Sequence, residues 1–533
     1  MIDHRKTERL RSHKLEMTIS TPSGVTVEIN SEIGSISSAS YVKRLTITRS
    51  IITNGSMSVT LAPPHPSDKL IMNAIKDAGG FPHELSWKSV ITRGTRFDVV
   101  LNGEYRGTYL ASAIRKQAST DGKTYTIQCI TIQEWIGRQV IFFDFGAEIW
   151  DKKDKAKASE IFTQFYSDGL KDASISGNSP QDGIKVTLHS FLFDVLKTGG
   201  HKFSDGKTIE DTIEVTTSTK SYVGKNLIML SSLQPSADIG IWQQIMKYQS
   251  APYHELWTTT GEREISMSDE EGPVTLKGRK EHVIFRPTPF DDREALATAD
   301  VPDPSDAILA GGEKFIELHS VESNIMHIIG DNHVMGINLE TSDDFAFSYY
   351  TMSLSGYGSM NASATGILVN PIIDKRQLRL VGKKVFTSYI DSVDMSDAVV
   401  GTGKYDNMIE AWKNLQFKSY LWFRNNSDFS KGSVSIPWLP LIYEGEHITI
   451  EMDRNKEDSG TYYITEYTLT VNAEAGSVGY ELQVQRGYNR KRKPPIKAVE
   501  KATITPRPKQ VRIVLKSQMD NPNRPAEIPA EEL

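Results

Sequence analysis

Two short stretches set a histidine beside a glutamate in the manner of a zinc-protease helix, HELSW at 83–87 and HELWT at 254–258. Such a site needs a second histidine one helical turn later, so that two ring nitrogens share a face while the glutamate acts as general base. That position is Trp87 in one stretch and Thr258 in the other, and neither supports metal-assisted hydrolysis. DRNKEDSG at 453–460 begins like a calcium loop, but Asp458 stands where the turn needs glycine and Ile464 where the bidentate glutamate belongs, which leaves a polar hairpin tip. Asp144-Phe145-Gly146 matches a kinase magnesium motif without the catalytic loop or the lysine-bearing strand that give it meaning. GTGK at 401–404 lacks the spacing and hydroxyl of a phosphate-binding loop and reads as a turn.

The remaining candidates are single residues. His327 and His333 stand on strand-like runs, where a lone histidine is more often a structural group than a ligand. Tyr349, Tyr350 and Tyr357 in FSYYTMSLSGYG could stack on a sugar, although packing across a sheet is the commoner use of such residues. Cys129, the single cysteine, sits in the alternating run YTIQCITIQ as a small buried hydrophobe, and no intrachain disulfide is possible. Carboxylates are plentiful, and a glycosidase needs only two of them roughly 5–10 Å apart, but no residue pattern singles out a pair. The residues therefore assign no catalytic, cofactor-binding or metal-binding position, and the expectation is a non-enzymatic protein without cofactor.

The elements that would position any site are mostly strands. A chain of 533 residues has room for roughly three to four domains. Its N-terminal segment, expected to be an arm over residues 1–15, lacks the apolar core of a signal peptide, and no stretch approaches the ~18 apolar residues of a membrane span. The net charge of -6 comes from mixed charges, against a dedicated nucleic-acid binder, with NRKRK at 489–493 as the exception. Residues 16–145 alternate in period two (LTITRSII, SMSVTLAP, RFDVVLNG, TYTIQCITIQ) with NG and DG turns, and predict an antiparallel β-barrel or sandwich.

Residues 146–300 read as a mixed α/β domain. Helices are expected over Ala158–Phe165, Leu188–Lys197 and from Asp238 through Met246, and the domain ends in HVIFRPTPFDD. Residues 301–312 form a connector. A second β-domain is expected over 313–365 and 432–488, interrupted by a helical or mixed insertion at 366–431 whose clearest helix carries Met408, Ile409, Trp412 and Leu415 after the N-cap Asp406. Residues 489–533, rich in proline, read as an extended C-terminal arm that lies along a neighbour, in which VRIVL at 511–515 is the one stretch suited to a strand.

One hairpin is written twice. The first copy runs Gly94, Phe97, Val99, Leu101, then Gly107-Thr108-Tyr109, then Tyr125-Thr126-Ile127-Gln128. The second runs Gly445, Ile448, Ile450, Met452, then Gly460-Thr461-Tyr462, then Tyr480-Glu481-Leu482-Gln483. Order, near-equal spacing and apolar period recur together, which implies duplication of a strand, tip, strand, turn and strand.

With its first β-domain, its interposed domain ending HVIFRPTPFDD and its closing phrases GSVSIPWLPLIYEGEHITIEM, GTYYITEYTLTV and GYELQVQRGYN, the chain resembles, over residues 16–488, the baseplate hub proteins of bacteriophage tails, relatives of the hub portion of type VI secretion spikes. The resemblance implies an α+β, β-rich fold with two similar antiparallel, tail-tube-like β-barrel domains. It further implies a structural virion protein of the tail baseplate or tip, assembled in the host cytoplasm as a homotrimer. Its partners would be the tail tube protein, the central spike protein, baseplate wedge or tail-fibre proteins and the tape measure protein. DNA would only pass through the channel, and the chain would not insert in a membrane. Three subunits with two similar β-domains each would present a pseudo-sixfold ring to a sixfold tube and threefold symmetry to the spike. The sequence shows neither a long C-terminal β-helix nor a lysozyme region of the kind fused to some spikes. Two other readings stay open: a tail-associated peptidoglycan or glycan hydrolase, and a host carbohydrate-binding module.

Overall fold

The computed structural model of the protein describes residues 2–7, 10, 12–22, 24–34, 41–65, 69–77, 86–119, 122–139, 213–217, 240–246, 254–268, 272–288, 326–344, 346–354, 372–390, 423, 429–453, 459–488 and 503–504. The N-terminal part supplies β1 (Ile2–Asp3), β2 (His13–Ser20), β3 (Thr26–Ile33), β4 (Val42–Ser50), β5 (Ser56–Leu61), β6 (Arg96–Leu101), β7 (Glu104–Ser119) and β8 (Gly122–Thr131), with helices α1 (Lys69–Asp77) and α2 (Ile132–Gly137). Strict alternation makes these strands: β3 buries every second residue, Val27, Ile29, Ser31 and Ile33, and exposes the residues between them. Asn102 and Gly103 both have positive φ, 52° and 84°, the left-handed turn that lets a two-residue Asn-Gly tip join β6 to β7 without splaying them.

The middle of the chain gives β9 (Ile213–Thr217), α3 (Ile241–Met246), β10 (His254–Thr259), β11 (Glu264–Ser268), β12 (Gly272–Thr275) and β13 (Glu281–Pro287). β13 pairs with β10 antiparallel and with β9 parallel. Against this small sheet pack α2 and α3, through a cluster that includes Ile132, Ile136, Ile241, Trp242, Leu256 and Phe285. The helix expected from Asp238 begins at Ile241, and the helices expected at 158–165, 188–197 and 406–415 lie outside the described residues.

The C-terminal part gives β14 (Met326–Gly330), β15 (Gly336–Thr341), β16 (Tyr349–Leu354), β17 (Ile372–Ile373), α4 (Lys375–Val381), β18 (Val385–Ile390), β19 (Ser430–Pro437), β20 (His447–Glu451), β21 (Gly460–Asn472), β22 (Ser477–Tyr488) and β23 (Thr503–Ile504). β16, β17, β18 and β23 form a separate four-stranded sheet. Its last strand shows that VRIVL is not the one stretch of the C-terminal arm suited to a strand, since Thr503–Ile504 forms one; the residues of VRIVL lie outside the described ones. Two residues carry no period of their own, so this strand is set by its partner β17.

Both copies of the repeated hairpin belong to one 14-stranded sheet. Its path runs β1-β14-β20-β21-β4-β5-β8-β7-β6-β2-β3, with β22, β19 and β15 following one another from the other side of β21. Among the described residues this path does not close on itself, so the β-rich α+β class holds while neither expected barrel is closed. One hydrophobic core runs under the whole sheet and draws on both copies, from Leu15, Val59 and Ile127 to Ile436, Leu469 and Leu482. Burial at that scale is what lets two open half-sheets hold each other without disulfides.

Candidate functional site

The two copies agree strand by strand in hydrogen-bond register. In the first, Val99 pairs with Gly107 and Phe97 with Tyr109; in the second, Ile450 pairs with Gly460 and Ile448 with Tyr462. β7 then pairs with β8 through Ala111–Cys129 and Lys116–Tyr125, as β21 pairs with β22 through Ile464–Val484 and Leu469–Tyr480. Against its hairpin partner each long strand carries a β-bulge at the same place, Ser112 in one copy and Thr465 in the other, while β7 has a further bulge at Arg106 against β6 and the β21–β22 ladder a further shift between Thr461 and Tyr463. Both bulge hydroxyls donate to equivalent carbonyls, Ser112 to Gln128 O at 3.0 Å and Thr465 to Gln483 O at 3.2 Å. Gly94 and Gly445, with φ of 78° and 80°, open both copies in the left-handed conformation that glycine adopts without strain.

The equivalence extends further than the sequence repeat. β5 lies on β8 as β19 lies on β22, with Ser58 and Ser433 opposite Gln128 and Gln483. This aligns Ser58-Val59-Thr60-Leu61 with Ser433-Val434-Ser435-Ile436, a four-residue echo too short to stand out unaided. β4 lies on β5 as β15 lies on β19, which aligns Leu45 and Ile47 with Ile337 and Leu339. Five strands are thus repeated, β4 to β8 by β15 and β19 to β22.

The copies meet where β4 pairs antiparallel with the C-terminal half of β21, from Ser50–Glu466 to Arg44–Asn472. Alternation sorts the joint into two faces. Leu45, Ile47, Tyr467, Leu469 and Val471 point into the core and are buried. Thr46, Thr48, Thr468 and Thr470 point the other way, and the hydroxyls of Thr48 and Thr468 lie 3.2 Å apart across the joint. The row continues outward through Ser56 on β5 and through Glu481 and Ser435 beyond β21. This outer face carries hydroxyls and amides, with Arg44, Arg115 and Lys431 balanced by Glu340, Glu466 and Glu481.

Behind the joint, a buried polar network fastens the middle unit to both copies. Arg49 of β4 donates to both carboxylate oxygens of Glu281 at 2.6 and 2.9 Å, and Thr108 N–H donates to the same carboxylate at 3.1 Å. Arg286 donates to Glu255 at 3.2 Å and to Gly445 O at 2.6 Å, while Tyr463 O–H also donates to Glu255. Burial pushes the Glu255 carboxyl up, with Arg286 opposing that shift. Arg263 pairs with Glu446, and Arg106 bonds Glu104, Tyr480 O–H at 2.6 Å and Ile442 O at 3.1 Å. The arginine forks and aromatic faces (Arg106 4.5 Å and Arg263 4.1 Å from the Tyr443 ring) satisfy charges that would otherwise be costly to bury.

The N-terminal strap closes the same region. β1 adds in parallel to β14, and His4 stacks on His327 with a 3.0 Å contact between ring nitrogens, while His327 contacts Glu446 at 2.9 Å. Burial first, then the neighbouring His327 and His333, hold the His4 pKa down at about 4, with Asp3 opposing. A histidine neutral in the fold and ordinary when released stabilises the strap above pH ~6.5, and that contribution is lost as pH falls from there towards 4. Between pH 7 and 5 the amide protection of residues 326–330 should therefore fall, and His4→Phe should flatten that dependence. Equal protection at both pH values would contradict the assignment.

The residues singled out from sequence do not converge. HELWT lies on strand β10, where Thr258 donates from its backbone N–H and its hydroxyl to Gln133 at 3.1 Å each. Trp87 begins a short 3-10 helix and buries its ring, and residues 83–85 lie outside the described ones. His327 is the structural group just described; His333 is buried with its Nε2 2.9 Å from Thr7 O. Cys129 is a free buried thiol on β8, pushed up in pKa by burial. Tyr350 is buried and donates to Phe347 O at 3.0 Å, whereas Tyr357, Asp144-Phe145-Gly146 and GTGK lie outside the described residues. DRNKEDSG spans the connection between the paired strands β20 and β21, part of it outside the described residues. A cavity of about 330 Å³ beside Glu262, Glu264, Thr275 and Lys277 has both carboxylates exposed to water. No group of three or more metal-ligating side chains occurs among the described residues, and no described helix is long and apolar enough to cross a membrane.

No family model and no curated protein matches the chain. Among solved structures it is similar to a tail protein from Neisseria meningitidis, at 8% identity and a TM-score of 0.44, over 89% of this chain and 96% of that one. A 43 kDa prophage tail protein from Shewanella oneidensis is similar at 11% identity and a TM-score of 0.40, over 88% and 98% of the two chains. An E. coli component of the type VI secretion system is similar at 7% identity and a TM-score of 0.32, over 86% and 77%.

Proposed function

We propose that the chain is a structural subunit of a phage-type tail, a hub of which three copies form a ring joining a sixfold tail tube to a threefold central spike. The observation that supports this reading most directly is the repetition of five strands, β4 to β8, with the same registers and the same bulge, in two units joined edge to edge within one chain. Two near-equivalent units per chain make six in a trimer, so one gene product meets both symmetries. In this reading the residues 16–145 and the split segment 313–365 with 432–488 supply the two tube-like units. The middle unit, held through Arg49–Glu281 and Arg286–Glu255, braces their joint from behind.

The outer face of the joint would line the passage. Its hydroxyls and amides offer no apolar patch to adhere to, and its balanced charges give no basic track to retain phosphates. Tape measure and DNA would pass without being read. Tail tube, spike and wedge or fibre proteins are then the partners, and the virion tail is the location. Light scattering on the purified chain should give about three times 59.6 kDa, and negative-stain images should show rings with a central opening. A monomer at micromolar concentration would sink the ring. A cleared zone on a peptidoglycan gel that one Asp or Glu substitution abolishes would favour the hydrolase instead.

A further inference from the structure

Among the described residues, the repeat contains one joint that the single chain leaves unmade. The C-terminal half of β21 is covered on its outer edge by β4. The equivalent half of β7, residues 113–119, pairs only with β8, and among the described residues its other edge has no strand. The equivalent of β4 is β15, which among the described residues pairs only with β19, so that its other edge has no described strand. Each chain therefore carries one made joint, β4 on β21, and the two separated halves of a second.

We infer that the free edge of β15 in one copy of this chain adds antiparallel to the free edge of residues 113–119 of β7 in a second copy, in the register of the β4–β21 joint. The inference rests on the ring reading and specifies how the ring closes. Carrying the intrachain register across sets Arg115 opposite Glu340, where Thr468 faces Thr48, and Gln117 opposite Asn338, where Thr470 faces Thr46. An arginine meets a glutamate and an amide meets an amide, which favours this register over a slip by one residue.

Burial points to the same occupant. Leu45 and Ile47 on β4 are fully buried beside β21, whereas their equivalents Ile337 and Leu339 are only partly buried, although they touch the same core. On the opposing edge Ile114 is half-buried, Ala113 and Ala118 are exposed, and Met335, just before β15, is 57% exposed. Unpaired edges flanked by apolar side chains invite pairing with another chain. A second copy offers the one complementary edge already known to fit, and three copies joined this way leave neither edge free.

The test uses the full chain. Arg115→Cys with Glu340→Cys, oxidised mildly, should give dimers and trimers on a non-reducing gel, while each single variant stays monomeric on the same gel. Thr48→Cys with Thr468→Cys is the control, an intrachain disulfide at the equivalent pair; the native Cys129 is buried and does not compete. A trimer by light scattering whose control oxidises but whose 115–340 pair does not overturns this pairing and leaves the ring reading standing. A monomer by light scattering overturns both. As a second measurement free of oxidation, Arg115→Glu alone and Glu340→Arg alone should each weaken trimer association about tenfold, and the double variant should restore it. Silent single variants, or a double variant no better than either single, overturn the inferred register.

Discussion

Glu281→Ala should cost the fold about 3–5 kcal/mol, because it strands a buried arginine. Arg49 and Glu281 are 2% and 0% exposed, and their two hydrogen bonds form a closed fork in which the carboxylate also accepts from Thr108 N–H. Without Glu281 the guanidinium keeps only Tyr109 O–H at 3.1 Å and the ring beneath it at 4.9 Å, neither of which balances its charge. Gly107 packs closely against the same guanidinium: a Cβ there would stand 2.1 Å from Arg49 Nη2. Urea denaturation followed by tyrosine and tryptophan fluorescence should show the midpoint shifted down. Arg49→Met combined with Glu281→Leu should recover most of the loss, because an apolar pair of similar volume avoids the desolvation that the ion pair must overcome. A Glu281→Ala midpoint unchanged from the parent would show that the pair is not buried as described.

This pair also shows where a sequence ceases to be legible. Arg49 and Glu281 lie 232 positions apart, and no spacing rule links a charge on one strand to a charge on another unit. The strands were readable, because period two and the Asn102-Gly103 tip are local properties of the backbone. So was the repeated hairpin, since Gly107-Thr108-Tyr109 and Gly460-Thr461-Tyr462 keep both type and order. The rest of the repeat was not: β15 and β19 are separated by 88 residues, from 342 to 429, and their echo of β4 and β5 is a few aliphatic and hydroxyl positions. The bulge at Ser112 and Thr465 left no mark beyond a small polar residue, because a bulge is a property of pairing and not of one strand. The retired zinc motif failed for a reason visible in sequence, the missing second histidine, and strand β10 removes the helix that it would also have needed.

Leu45→Ala and Ile337→Ala are the same substitution class at equivalent places in the repeat, and they should behave differently in a way that only assembly explains. In the isolated chain Leu45 is 0% exposed under the β4–β21 joint, and its truncation should cost about 2–5 kcal/mol, the lost transfer energy plus the cavity left behind. Ile337 sits on the open edge of β15, partly buried, so its truncation in a dissociated subunit removes less apolar contact and should cost about 1 kcal/mol. In the ring proposed above the edge would be covered and the two positions would become equivalent, so the Ile337 penalty should move into subunit association, once at each of the three joints. The measurement is a pair of denaturation series, one below and one above the concentration at which trimers form. For Leu45→Ala the loss should be the same in both series. For Ile337→Ala it should grow on assembly until it approaches that of Leu45→Ala. An Ile337 penalty independent of protein concentration would mean that β15 stays an open edge in the trimer, and that the ring, if formed, closes through some other surface.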